Sequence, residues 1–194
     1  HYNNNAMIVG QYARRGNETH NIVFRDIDVM VSHIPDGSAV IQCDLQNEGT
    51  VRDVRFENIR VEEILGDGDL VNLTIDQNLR GFHDKWDSQG QGQLHHITIR
   101  NLSAPSSPGR LMGYDADHKL KRVSFENLVI DGRLITDLAQ TDFQTNAFIE
   151  DITVTAEPDW RPIGTLGAYT RSLYLTDRQH EDGTWSVAMP IGNP

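Results

Sequence analysis

The sequence predicts an all-β chain, folded as a right-handed parallel β-helix (a solenoid) with a hairpin capping its C-terminal end. Three observations predict this: an internal repeat, a period-2 apolar pattern inside each copy, and an Asn or Asp at the same place in every full copy. A repeat settles architecture before single residues do, because each unit buries its apolar face only by stacking on its neighbours.

The motif is Ile22-Val23-Phe24-Arg25-Asp26-Ile27-Asp28-Val29. It returns as Val54-Arg55-Phe56-Glu57-Asn58-Ile59-Arg60-Val61, as Ile97-Thr98-Ile99-Arg100-Asn101-Leu102, and as Val123-Ser124-Phe125-Glu126-Asn127-Leu128-Val129-Ile130. Ile152-Thr153-Val154 is a worn further copy. The copies start about 32, 43, 26 and 29 residues apart. Helical repeats of this length would place apolar residues at i, i+3, i+4 and i+7. Here they alternate and are β-branched or aromatic, which is strand chemistry. Unequal spacing suits a stack whose insertions leave as side loops, and the Gly-, Asp- and Gln-rich segment Leu79 to Gln93 is expected to be one.

Asp26, Asn58, Asn101 and Asn127 share one register. Asn tolerates turn conformations, and its amide can bond both its own turn and the Asn stacked above it. Four occurrences in register favour a ladder of buried amides over a set of exposed turns.

A second strand series precedes the first. Its copies are Ala6 to Gln11, Ala39 to Leu45, Leu70 to Ile75 and Arg110 to Tyr114. By the period-2 rule, Ile41, Cys43 and Leu45 share one face, as do Val71, Leu73 and Ile75. The opposite face carries Gln42 and Asp44, then Asn72, Thr74 and Asp76. It is expected to form a polar, outward strip whose stacking makes a shallow groove. The inward register of Cys43, the only cysteine, makes it a small core residue and leaves no intrachain disulfide.

The pattern changes near the end. Leu173-Tyr174-Leu175, a turn at Asp182-Gly183 and Trp185 to Ala188 read as a hairpin, so residues 1–158 are assigned to the stacked strands and 159–194 to a cap. Capping is favoured for Trp185 over sugar stacking.

Composition narrows the function classes. The formal charge of −11 argues against nucleic acid, which calls for a basic stripe, and weakly disfavours a polyanionic glycan. No apolar run reaches membrane-spanning length, so no membrane partner is expected. The eight His residues show no HExxH and no His–Cys pairing, and neither metal nor cofactor is expected. Gly66-Asp67-Gly68-Asp69 reads as a tight turn before Leu70 in preference to a calcium loop. Trp86, within His83-Asp84-Lys85-Trp86-Asp87, either stacks on a sugar face or packs on the wall of the fold. Three sequons, at Asn17, Asn72 and Asn101, are present, the last two in strand or ladder positions.

His1-Tyr2-Asn3-Asn4-Asn5-Ala6-Met7-Ile8-Val9-Gly10-Gln11-Tyr12, followed by Asn21 to Val29 and His33, resembles the segment just after the catalytic coils of dextranase and isopullulanase-like glycoside hydrolases, within the pectin-lyase-like β-helix superfamily. Ser38 to Ile41 and Leu70 to Leu73 resemble its next two coils, and the likeness covers about residues 1 to 130. It implies a secreted or periplasmic protein acting on a polysaccharide or oligosaccharide. His1, Tyr2 and Asn3 would lie nearest the cleavage point, with Gln11, His33, Gln42 and Asp44 at outer subsites. The family's adjacent Asp-Asp pair is absent from this chain. Glycoside hydrolysis needs two carboxyl groups, so the chemistry is expected in N-terminal coils preceding His1. The best local pair is Asp44 and Asp76. Two readings follow: the downstream wall of a hydrolase groove, or a non-catalytic carbohydrate-binding or structural β-helix module. A weaker third, a polysaccharide lyase, would need a base such as Lys85, Lys119 or Lys121.

Overall fold

The computed structural model describes residues 5–11, 13, 16–76, 91–157 and 160, and the backbone of Thr176–Gln179 and Trp185–Ala188. The described residues are all-β apart from a short 3-10 turn at Leu138–Gln140. The chain divides into two compact units, His1–Trp160 and Arg161–Pro194.

In the first unit the strands fall into three sheets. One is wholly parallel, in the order β1 (Met7–Ile8), β4 (Ala39–Leu45), β7 (Asp69–Ile75), β9 (Gly109–Met112) and β13 (Phe143–Thr145). The second is built on β2 (Glu18–Val29), β5 (Thr50–Val61), β8 (Gln93–Ala104), β10 (Leu120–Glu126) and β14 (Ile149–Thr155), again parallel. The third pairs β3 (Ser32–His33) with β6 (Ile64–Leu65). Sequence order visits the three sheets in turn, twice, before the third drops out.

The register matches the repeat residue for residue. Ile22 stands beside Val54, Val54 beside Ile97, Ile97 beside Val123 and Val123 beside Ile152. The next inward row is Phe24, Phe56, Ile99, Phe125 and Val154. Inner members are fully buried, whereas Ile22, Phe24, Ile27, Ile152 and Val154 are half-buried. Each inner side chain thus contributes roughly 1.5–3 kcal/mol of burial that the end rows only partly realise. The inward residues of the first two sheets, Ile41 and Leu73 from one and Val54 and Ile97 from the other, belong to a single core cluster. Outside, opposite charges face each other across repeats: Arg25 reaches Glu57 at 2.8 Å, Arg60 reaches Asp28 at 2.7 Å, and Lys119 reaches Glu150 at 2.8 Å.

The Asn column is a hydrogen-bonded ladder. Asn58 Nδ2 donates to Asp26 Oδ1 (2.7 Å), Asn101 Nδ2 to Asn58 Oδ1 (2.8 Å), and Asn127 Nδ2 to Asn101 Oδ1 (3.0 Å). The Glu157 backbone N–H closes it on Asn127 Oδ1 at 2.8 Å. All four side chains sit on left-handed backbone, with φ between 56° and 58°. One expectation is corrected: of the four only Asn127 is buried, while Asp26 and Asn58 are exposed. The column therefore runs across the strands at a mid-strand bend, partly open to solvent, rather than through the core.

Two further differences have local causes. An antiparallel pair interrupts the parallel pattern: β11 (Leu128–Ile130) pairs parallel with β8 but antiparallel with β12 (Arg133–Ile135). The intervening Asp131 and Gly132 both have positive φ, the requirement of a two-residue primed hairpin turn, and Asp-Gly supplies it. The second unit contains the expected hairpin, but its first strand is β15 (Thr176–Gln179), C-terminal to Leu173–Leu175, and pairs with β16 (Trp185–Ala188).

Asn101 holds two ladder bonds and a left-handed backbone. Replacing it with Ala is expected to cost about 3 kcal/mol: two bonds at roughly 1 each and about 1 for the backbone. Asn101→Gly removes the backbone cost and is expected to lose about 1 kcal/mol less, as read by urea denaturation.

Candidate functional site

The residues expected to line a groove lie on β4 and β7, where every position is buried. Gln42 is 1% exposed, Asn72 4%, Asp44 6% and Thr74 8%. The period-2 rule orients them correctly, away from Ile41, Cys43 and Leu45, but the expected open, solvated strip is corrected to an enclosed polar cluster. Gln42 Nε2 donates to Asp44 Oδ2 at 3.3 Å, and Gln46 Nε2 donates to the same oxygen. The Thr74 hydroxyl lies 3.3 Å from Asp44 Oδ1 and 2.9 Å from Asn72 Oδ1. The amide oxygens Gln42 Oε1 and Gln46 Oε1 are buried with no hydrogen-bond partner.

The face opens along one row. Parallel register places Gln42 beside Asn72, Asn72 beside Arg110, and Arg110 beside Gln144. Exposure rises along it: Arg110 is half-buried and Gln144 exposed. Arg110 is itself anchored, at 2.9 Å from Asp36 and 3.2 Å from buried Asp69.

Burial pushes the Asp44 carboxyl above its usual range, and the charge of Asp76 adds to the rise. The hydrogen bonds from Gln46, Thr74 and Gln42 pull the other way and only partly offset burial. Asp76, just past β7, is exposed. One carboxyl of this pair is therefore enclosed and the other faces solvent, which is not two carboxyls flanking one open cleft. The Cys43 thiol is pushed up to about 12 by burial, so it is an inert core group.

The other expected residues are dispersed. His33 is exposed on β3, in a different sheet from Gln42. Gln11 is half-buried in the turn after β1. His1, Tyr2, Asn3, Lys85, Trp86 and the side chain of Trp185 lie outside the described residues, as does most of the expected side loop. Gly66 to Asp69 is a turn: Gly66 has φ 94°, a Cβ there would meet the Ile34 carbonyl oxygen at 2.3 Å, and Asp69 goes to Arg110. Lys119 is paired with Glu150.

The sequence reading missed a second column. Asn21, Asp53, His96, Arg122 and Asp151 all have left-handed φ, 54° to 58°, and each stands one residue before its copy of the motif. The paired registers on either side, His20 to Arg52 to His95 and Ile22 to Val54 to Ile97, put them in one file. Only three of the five are Asn or Asp, so residue type hid the column; the position before each motif copy was the available signal. The bend opens a cleft of ≈630 Å³, lined also by Arg55, Thr98, Ser124 and Thr153. At its centre Arg122 Nη1 lies 3.1 Å from His96 Nε2, and His96 Nδ1 lies 2.6 Å from His95 Nδ1. Arg122 can only donate, so His96 carries its proton on Nδ1 and donates to His95. Burial first, and then the His96 ring, lower the His95 pKa, which keeps that acceptor neutral.

Because its folded pKa is raised, the ionised Asp44 destabilises the fold above that value, and the cost fades as pH falls towards the ordinary aspartate range near 3.9. Asp44→Asn, with the two glutamine amides flipped to accept from the new N–H, is expected to raise Tm at pH 7 by about 2–4 °C. The gain should shrink on acidification and vanish below about pH 4. Thermal melts across pH check this, and a variant that melts lower at pH 7 would contradict it.

Comparison with protein-family models, with curated proteins and with solved structures finds no match to this chain.

Proposed function

We propose that this chain is the downstream portion of a right-handed parallel β-helix in a polysaccharide-degrading glycoside hydrolase, and that its β4–β7–β9 face forms a wall of the glycan groove without supplying the catalytic carboxylates. The fold half of the proposal is supported by strands that visit three sheets in turn with parallel neighbours. Crossovers between parallel strands are right-handed in nearly all proteins. The functional half is carried by the row Gln42–Asn72–Arg110–Gln144 with the orphaned oxygens Gln42 Oε1 and Gln46 Oε1. An enclosed, unpaired amide oxygen costs about 1–3 kcal/mol, and such groups are retained where a ligand hydroxyl or water completes them. Amide, hydroxyl and guanidinium groups repeated at strand spacing are hydrogen-bonding partners for a neutral sugar chain that enters from the open Arg110–Gln144 end.

The preceding coils of the same protein are the proposed partner of β2. Among the described residues β2 pairs only with β5, and Ile22, Phe24 and Ile27 stay half-buried. Such an edge invites another strand. The ladder would not extend into that coil in its present polarity, since Asp26 has no side-chain N–H to pass on. The separate environments of Asp44 and Asp76 favour the non-catalytic module as the second reading.

The purified chain is expected to bind isomalto- or malto-oligosaccharides weakly and to release no reducing sugar from dextran, pullulan or polygalacturonate. Gln42→Met is expected to weaken that binding about fivefold or more, because it removes the orphaned amide oxygen from the row. Calorimetry and a reducing-sugar assay read both. Turnover abolished by Asp44→Asn or Asp76→Asn would instead place the chemistry in this chain, and unchanged affinity in Gln42→Met would remove the row from the groove.

A further inference from the structure

We propose that the crease along the second left-handed column is a separate binding site for a neutral oligosaccharide lying across β2, β5, β8, β10 and β14. It uses none of the residues of the β4–β7 face. Five repeats at about 4.8 Å make a track of roughly 19 Å, long enough for several sugar units. The ≈630 Å³ cleft along it is within the usual size of a ligand site.

The lining chooses the chemistry. Down the column the side chains read Asn21, Asp53, His96, Arg122 and Asp151, so carboxylates, a guanidinium and neutral groups are interspersed and no single sign of charge runs along it. An anion at Arg122 would meet the Asp151 carboxylate in the next repeat, and a cation at either carboxylate would meet Arg122 or Arg55. A neutral polyol meets no such penalty. It takes donors from Arg122, acceptors from Asp53 and Asp151, and either from the hydroxyls of Thr98, Ser124 and Thr153.

Arg122 is held ready for this. Arg52, one residue before the column, is tied to Glu18 and Asp53. Arg122 makes no ion pair among the described residues; it spends one N–H on His96, and His96 is held in turn by His95. Its remaining guanidinium N–H groups are available in an exposed side chain. Left-handed backbone is costly for Arg, which is not among the residues (Asn, Asp, His) that favour it. Carried at a repeat that lines a cleft, the cost is of the kind stored at binding sites.

The test is amide chemical-shift mapping on the full chain with isomalto-, malto- and cello-oligosaccharides, and oligogalacturonate as the anionic comparison. Shifts centred on Asp53, His96, Arg122 and Asp151 are expected with at least one neutral series. Arg122→Asn suits the left-handed backbone and removes the donors. It is expected to weaken binding about fivefold or more without lowering Tm. Should that variant melt lower, Asp151→Asn keeps the backbone preference and is expected to weaken binding likewise. No shift at the column with any neutral series, unchanged affinity in the well-folded variants, or tighter binding of oligogalacturonate would each overturn the proposal. Shifts confined to the column, with none at Gln42 or Asn72, would sustain it while refuting the groove proposed on β4 and β7.

Discussion

One side-chain amide, repeated at a fixed bend, sets the geometry on which the rest depends. Asn58 and Asn101 each donate to the repeat before and accept from the repeat after, while their own backbone turns left-handed. The bond is short, so it fixes the strand separation at that point. The bend falls at the same residue in every repeat, so the strands on either side stay in register. The stacking of Phe24 on Phe56, with ring centres 5.1 Å apart and planes 3° from parallel, follows from that register, as do the Arg25–Glu57 and Arg60–Asp28 pairs. The ladder is polar. It ends at one side on a carboxylate that can only accept and at the other on the Glu157 backbone N–H.

The second column uses the same backbone bend to a different end. The Asn ladder satisfies its groups internally. In the second column Arg122 and His96 bond each other and then lead outward, and Asp151 faces solvent. The same departure from ideal strand geometry therefore gives a closed structural device at one bend of the strands and a cleft at another. A non-Gly left-handed residue that bonds its counterpart in the next repeat is part of the scaffold. One that leaves donors and acceptors at the surface is a candidate for recognition.

The β4–β7 face presents the opposite trade. Its polar groups are enclosed, and Asp44 accepts hydrogen bonds from Gln42 on its own strand and from Gln46 just past it, with the Thr74 hydroxyl of the next strand beside it. Enclosure raises its pKa and leaves two amide oxygens unsatisfied. A face serving only to pack would be more stable with apolar residues of the same volume.

The sequence by itself determined the strand content, the repeat register and the ladder. Alternation specifies which side chains turn inward, and Asn at a fixed interval specifies where the chain bends. Both are local properties of a strand, so they are legible without knowing what lies across from it. Only the tertiary structure decided how much water each outward side chain sees. Gln42 and Gln144 share a row and a direction, yet one is enclosed and the other exposed, because burial depends on what covers a face and not on the strand's own pattern. The same limit hid the second column. Arg122 takes the left-handed bend because the register of neighbouring repeats requires it there, against its intrinsic preference, and no single repeat carries that requirement.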